Sequence, residues 1–172
     1  MTITSEFSIK DPIGYIDPCM QDMLFTDITQ EELSNIANIL GITYLSIATI
    51  FPGSFPVTGQ IYGSNKRAMV NLICKARDNS SLAINVIFLI DTGSPASYLS
   101  EKAMLALVGK PGSNVVRQLP VMIHSTSVIQ CHLSPPDKHF ADVNVLGADF
   151  LFANGITFTL RYKELSCSLT QD

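Results

Sequence analysis

The sequence predicts a mainly β chain with one or two short helices and an N-terminal extension. Three observations carry that reading. From Lys66 onward, short segments rich in Val, Ile and Leu recur between polar turns. Val86-Ile87-Phe88-Leu89-Ile90 is a continuous apolar run, the pattern of a strand buried on both faces. Only two stretches carry a helix start signal with a glycine stop.

Asp11-Pro12 and Asp17-Pro18 mark turns in an irregular start. Thr29-Gln30-Glu31-Glu32 is a capping box, followed by Leu33, Ile36, Ala37 and Leu40 at helical spacing and then Gly41. The spacing predicts a helix over 30–40. Residues 43–50 are rich in β-branched types and read as a strand. Residues 52–65, with Pro52, Gly53, Pro56, Gly59 and Gly63, read as a linker. Strands are predicted at 68–74 and 82–90, around a turn at 77–81. Ser100 caps a short helix over 101–108, stopped by Gly109, and a loop follows at 110–114. Residues 115–116, 119–123, 128–133 and 143–146 are strand-like, and 156–162 is the last clear strand.

The chain has 172 residues, enough for one domain with a core of its own, and is 47% apolar and 15% charged. That composition excludes intrinsic disorder. With 11 Lys+Arg against 15 Asp+Glu and no basic cluster, it argues against a nucleic-acid partner. Cys19, Cys74, Cys131 and Cys167 are scattered and read as reduced thiols. With no secretory signal at the N-terminus, the expected location is cytoplasmic. The uncharged stretch 36–51 is too short and too polar for a spanning helix, and membrane contact through it is the weaker alternative. His124, His132 and His139, with Cys131, lack a compact ligand spacing, so no metal site is expected. Met20 and Met23, beside Leu24 and Phe25, read as packing residues.

The strongest signal is Phe88-Leu89-Ile90-Asp91-Thr92-Gly93-Ser94. A carboxylate ending a buried strand is costly unless it is paired or hydrogen-bonded. Gly93 lets the backbone turn back toward it, and Thr92 and Ser94 add hydroxyls. Fixed, partly desolvated acids are over-represented at active sites. Asp, Thr and Gly also make ordinary turns, and on these residues alone both readings stand.

A second motif, Val143-Asn144-Val145-Leu146-Gly147-Ala148-Asp149-Phe150-Leu151, follows before the terminal strand. In that order, the two motifs resemble the retropepsin family, the aspartic proteases of retroviruses and retrotransposons and their cellular relatives. The resemblance covers roughly 66–165. It implies a closed-barrel acid-protease domain over 61–172, with 1–60 an N-terminal extension of unassigned function. It implies that Asp91 is catalytic, that Thr92 bonds across a dimer axis, that Gly93 floors the cleft and that Ser94 orients the carboxylate. Leu146, Gly147, Ala148 and Asp149 become a structural motif. The chain has a single Asp-Thr-Gly, so the resemblance implies a homodimer hydrolysing a peptide or polyprotein without a cofactor or metal. By position, a flap is expected in 119–129, with Met122, Ile123, His124, Ser125, Thr126 and Ser127 around its tip. The family's viral flaps are glycine-rich, and this segment has no glycine. A non-catalytic dimeric peptide-binding or interaction module on the same fold is the alternative. Residues 1–60 read equally as a pro-segment, a second dimer contact or part of a neighbouring domain.

Overall fold

A computed structural model describes residues 27–77, 81–109 and 115–172. The turns at Asp11-Pro12 and Asp17-Pro18, Cys19, Met20, Met23, most of the turn at 77–81 and the loop at 110–114 lie outside the described residues.

Helix α1 (Gln30–Leu40) starts where the capping box predicts. Thr29 Oγ1 accepts from the Glu32 N–H, and Gly41 closes the helix at φ 67°. Strands β1 (Val57–Tyr62), β2 (Arg67–Ala76) and β3 (Ile84–Ile90) follow, then the two-residue β4 (Tyr98–Leu99). Helix α2 (Glu101–Val108) is capped by Ser100 and stopped by Gly109. After it come the hairpin β5 (Gln118–Ile123) and β6 (Val128–Leu133), then β7 (Asn144–Leu146) and helix α3 (Ala148–Ala153). The terminal hairpin is β8 (Ile156–Arg161) and β9 (Ser166–Gln171).

Six strands close into a barrel in the order β3-β7-β4-β6-β5-β2, with β2 pairing back to β3. The β3–β7 and β4–β6 pairs are parallel, the rest antiparallel. From β2 the sheet continues outward through β1 and β9 to β8, which is its edge among the described residues. Alternation along the strands divides the apolar residues into two cores. Val70, Leu72, Cys74, Val86, Phe88 and Ile90 fill the barrel, joined by Met104 and Leu107 of α2 and Phe150 of α3. Met69, Ile87, Leu89, Val143 and Val145 face outward and are buried under Ile28, Leu33, Ile36 and Ala37. This double covering explains the unbroken apolar run of β3.

Several expectations are corrected. Residues 43–50 form no strand. They make one isolated bridge, Ile47 to Ile84, because Leu45 sits at φ 60°, outside extended geometry. The supposed linker at 52–65 contains β1. Its Gly59 is there for close packing: a Cβ would stand 2.3 Å from the Met69 carbonyl oxygen. A boundary at residue 60 therefore cuts through a strand, and α1 shares a core with the barrel. Residues 115–116 are not a strand, and β4 and β9 were not anticipated. Among the described residues, no helix is long and apolar enough to cross a membrane.

Candidate active site

The parallel register sets Leu89 beside Val145 and Ile90 beside Leu146, and the Asp91 N–H donates to the Leu146 carbonyl at 3.0 Å. The barrel thus fixes the backbone at the point where the chain turns. The Ser94 N–H donates back to the Asp91 carbonyl at 3.1 Å, and the Gly93 N–H donates to Asp91 Oδ1 at 3.0 Å. A Cβ on Gly93 would stand 3.2 Å from that oxygen, so the residue type belongs to the carboxylate's mounting. Asp91 is half-buried, and Thr92 is exposed beside it. Ser94 does not orient the carboxylate. Its hydroxyl donates to the Ala96 carbonyl at 2.7 Å, tightening the turn, while the backbone N–H of Gly93 holds the acid.

The second motif is brought directly against the first. The Ala148 N–H donates to the Ser94 carbonyl at 2.8 Å. Gly147 passes so close to Ala96 that a Cβ would lie 2.3 Å from its carbonyl oxygen. Asp149 accepts from the Ser97 hydroxyl at 2.6 Å, the Ser97 N–H at 2.9 Å and the Phe150 N–H at 2.8 Å. The Ser97 hydroxyl in turn accepts from the Gly147 N–H at 3.0 Å. Asp149 is therefore a brace between the motifs, its lone pairs taken by neighbours.

Two bracing residues escaped the sequence reading. Ser97 is fully buried and joins both motifs. Asn144, also fully buried, accepts from the Ser100 N–H at 2.9 Å and donates to the Ile87 carbonyl and the Tyr44 hydroxyl, each at 2.9 Å. A buried Asn or Ser inside an apolar motif is the one available signal, since such groups must find partners.

Asp91 opens into a cavity of about 440 Å³ that Lys66, Arg67, Leu89, Phe140, Phe158 and Tyr162 help to line. Arg67 lies over the Phe140 ring, 5.6 Å from its centroid, and pairs with Asp27 at 2.8 Å. Burial pushes the Asp27 carboxyl up, but hydrogen bonds from Arg67 and Asn65 and the Arg67 charge outweigh it and hold the pKa below its usual value.

The structure does not bring the expected flap to Asp91. Residues 122–127 form the tip of the β5–β6 hairpin, and Ile123 pairs with Cys74, which also faces Ile84 at the start of β3. Asp91 follows the other end of β3, roughly 20 Å away at about 3.3 Å per strand residue. The tip is fastened there. The Gly53 N–H donates to the His124 carbonyl at 2.9 Å, the His124 ring contacts the Ser54 carbonyl at 3.0 Å, and Ser125 donates to Asn154 at 2.6 Å. The physical reason is the pairing of β5 with the distal half of β2, which turns the hairpin away from the acid. Burial lowers the pKa of His124, partly offset by the Ser54 contact.

Cys74, Cys131 and Cys167 are buried free thiols. Burial raises the pKa of each, that of Cys167 to about 11, and so suppresses the reactive thiolate. Among the described residues, no group of three or more His, Cys, Asp or Glu side chains converges on a common point. Comparison with protein-family models, curated proteins and solved structures returns no match for this chain.

Proposed function

We propose that the chain is a cytoplasmic, homodimeric aspartic endopeptidase of the retropepsin type. The observation that carries this reading is the mounting of Asp91: a carboxylate at the end of a doubly covered strand, held by the Gly93 N–H and locked through Ser94 and Ser97 to the Leu146–Asp149 motif. One chain supplies one such acid, and a two-fold axis supplies the second. Two adjacent carboxylates share one proton, because ionising both is costly. The ionised member takes a proton from water, whose oxygen attacks the peptide carbonyl carbon while the protonated member donates to the carbonyl oxygen. The tetrahedral species then collapses, the leaving nitrogen is protonated and the C–N bond breaks. The outer edge of β8 among the described residues supports the reading of a second copy. It borders the Asp91 cavity through Phe158 and Leu160, and it and the segments flanking it expose Phe152, Leu160, Tyr162 and Leu165. Buried, unpaired thiols suit a reducing compartment.

A non-catalytic dimeric peptide-binding module is favoured by one observation, the absence of the 122–127 hairpin from the acid. Cleavage of a mixed peptide library at pH 4 to 7, over a dilution series and beside Asp91→Asn, separates the two. Turnover that vanishes in the variant and loses specific activity on dilution supports the dimeric peptidase. Folded, dimeric protein without turnover supports the module.

A further inference from the structure

On the peptidase reading, we propose that helix α1 occupies the seat of the substrate peptide, acting as a built-in competitor that must leave the barrel for turnover. Strand alternation gives the first support. Ile84, Val86, Phe88 and Ile90 of β3 belong to the barrel core, whereas Ile87 and Leu89 face outward, and Asp91 stands next in the outward series. The face that leads to the acid is thus the face α1 covers. Leu89 makes the link directly: it lines the Asp91 cavity and is buried in the core beneath α1. Arg67 makes a second link. It lines the Asp91 cavity, and it lines the adjoining one bordered by Ile28 and Glu32 at the start of α1.

The seat has the chemistry of a peptide groove. Met69, Leu89, Val143 and Val145 form an apolar floor that Ile28, Leu33 and Ile36 fill, so the floor selects apolar side chains beside the scissile bond. An 11-residue helix is about 16 Å long, which matches about five residues of extended peptide. Helix α1 lies on the barrel without adding a strand to its sheet. The polar ties of α1 and of Asp27 just before it run through side chains: Asp27 to Arg67 and Asn65, Gln30 to Asp142 at 3.1 Å, Lys102 to Gln30 at 3.1 Å, and the Tyr62 hydroxyl to Glu32. None of them is a sheet hydrogen bond. With the β5–β6 tip fastened at the far end, α1 covers the apolar face that adjoins the Asp91 cavity at Leu89, while the cavity itself is lined by other elements.

A competitor in the seat scales the apparent kcat/KM by the fraction of molecules in which it is displaced. The test reads Asp91-dependent cleavage of a mixed peptide library together with hydrogen exchange of the α1 amides, on the full chain. Ile36→Ala removes a fully buried anchor and should raise kcat/KM about tenfold or more, with faster α1 exchange. Asp27→Asn, which leaves the apolar core intact, is the milder variant and should raise both by roughly two- to fivefold. Ser34→Ala with Asn38→Ala strengthens the helix on its exposed side and should lower both about fivefold. Exchange that changes while Asp91-dependent kcat/KM stays constant, or falls on loosening, overturns the proposal and leaves the peptidase standing. Absence of Asp91-dependent turnover in every variant, the loosened ones included, removes the peptidase reading and this proposal with it.

Discussion

Gly147→Ala tests the junction that holds the acid. The added methyl would stand 2.3 Å from the Ala96 carbonyl oxygen and 2.5 Å from its carbon, where about 3.4 Å is an ordinary contact. Both partners are backbone, so no side chain can swing away, and the β7–α3 junction must retreat by about 1 Å. That retreat strains two hydrogen bonds, Ala148 N–H to Ser94 and Gly147 N–H to Ser97. Each is worth roughly 0.5–1.5 kcal/mol, and forced overpacking adds about 1–3 kcal/mol. The expected loss is therefore about 2–6 kcal/mol, or roughly 4–24 °C in Tm for a chain of this size. Urea unfolding of the variant, with an unchanged m-value, measures it. On the peptidase reading, because Ser94 closes the turn that mounts Asp91, peptide turnover should fall further than the unfolded fraction accounts for. Gly63→Ala, at a positive-φ site with open space around the added methyl, is the comparison and should cost only about 1 kcal/mol. A Gly147→Ala protein within 0.5 kcal/mol of the parent (about the scatter of harmless surface changes) would refute the reasoning.

Three further outcomes follow from the same geometry. Gly53→Ala places a methyl 2.0 Å from the His124 ring and should cost about 1–3 kcal/mol in urea unfolding while leaving the Asp91 turn intact, since the two lie at opposite ends of β3. His124 and Asp27 both have depressed pKa values in the folded chain, so each contributes stability that is full above its unfolded value, near 6.5 and 3.8, and is lost as pH falls through the folded one. Urea midpoints should accordingly drop in two steps on acidification, and His124→Asn should flatten the upper step, with Asn suited to the local φ of 56°. On the homodimer reading, Leu160→Lys puts a charge on the outer edge of β8 and should shift sedimentation toward monomer and make any turnover more sensitive to dilution.

Local chemistry was well written in the sequence. The capping box at Thr29, Ser100 with Gly109 and the apolar run of β3 each name their own element, because the forces that form them act within a few residues. The two motifs around Asp91 and Asp149 were legible as motifs for the same reason. What could not be read was anything decided across the fold. Gly59 looked like a linker residue, yet it is required by the Met69 backbone on the next strand. Residues 43–50 carried strand-forming types, but among the described residues they meet a partner edge only over the short contact of 45–48 with 83–85. The hairpin at 118–133 was legible, but its direction depends on which half of β2 it joins, and periodicity carries no information on that.

The same distinction bears on helix α1. Its amphipathic spacing announces that Leu33, Ile36 and Ala37 must be covered, without saying by what. The structure answers with the outward face of β3 and β7. A strand whose outward face merely met solvent would carry polar residues there, as β6 does with Gln130 and His132 on its more open side. Instead Ile87, Leu89, Val143 and Val145 are all apolar, so this face is built to be occupied continuously. On the peptidase reading two occupants compete for it, the helix in the resting chain and the peptide during turnover. The apolar character that made β3 readable as a buried strand is then the same property that sets what the site accepts.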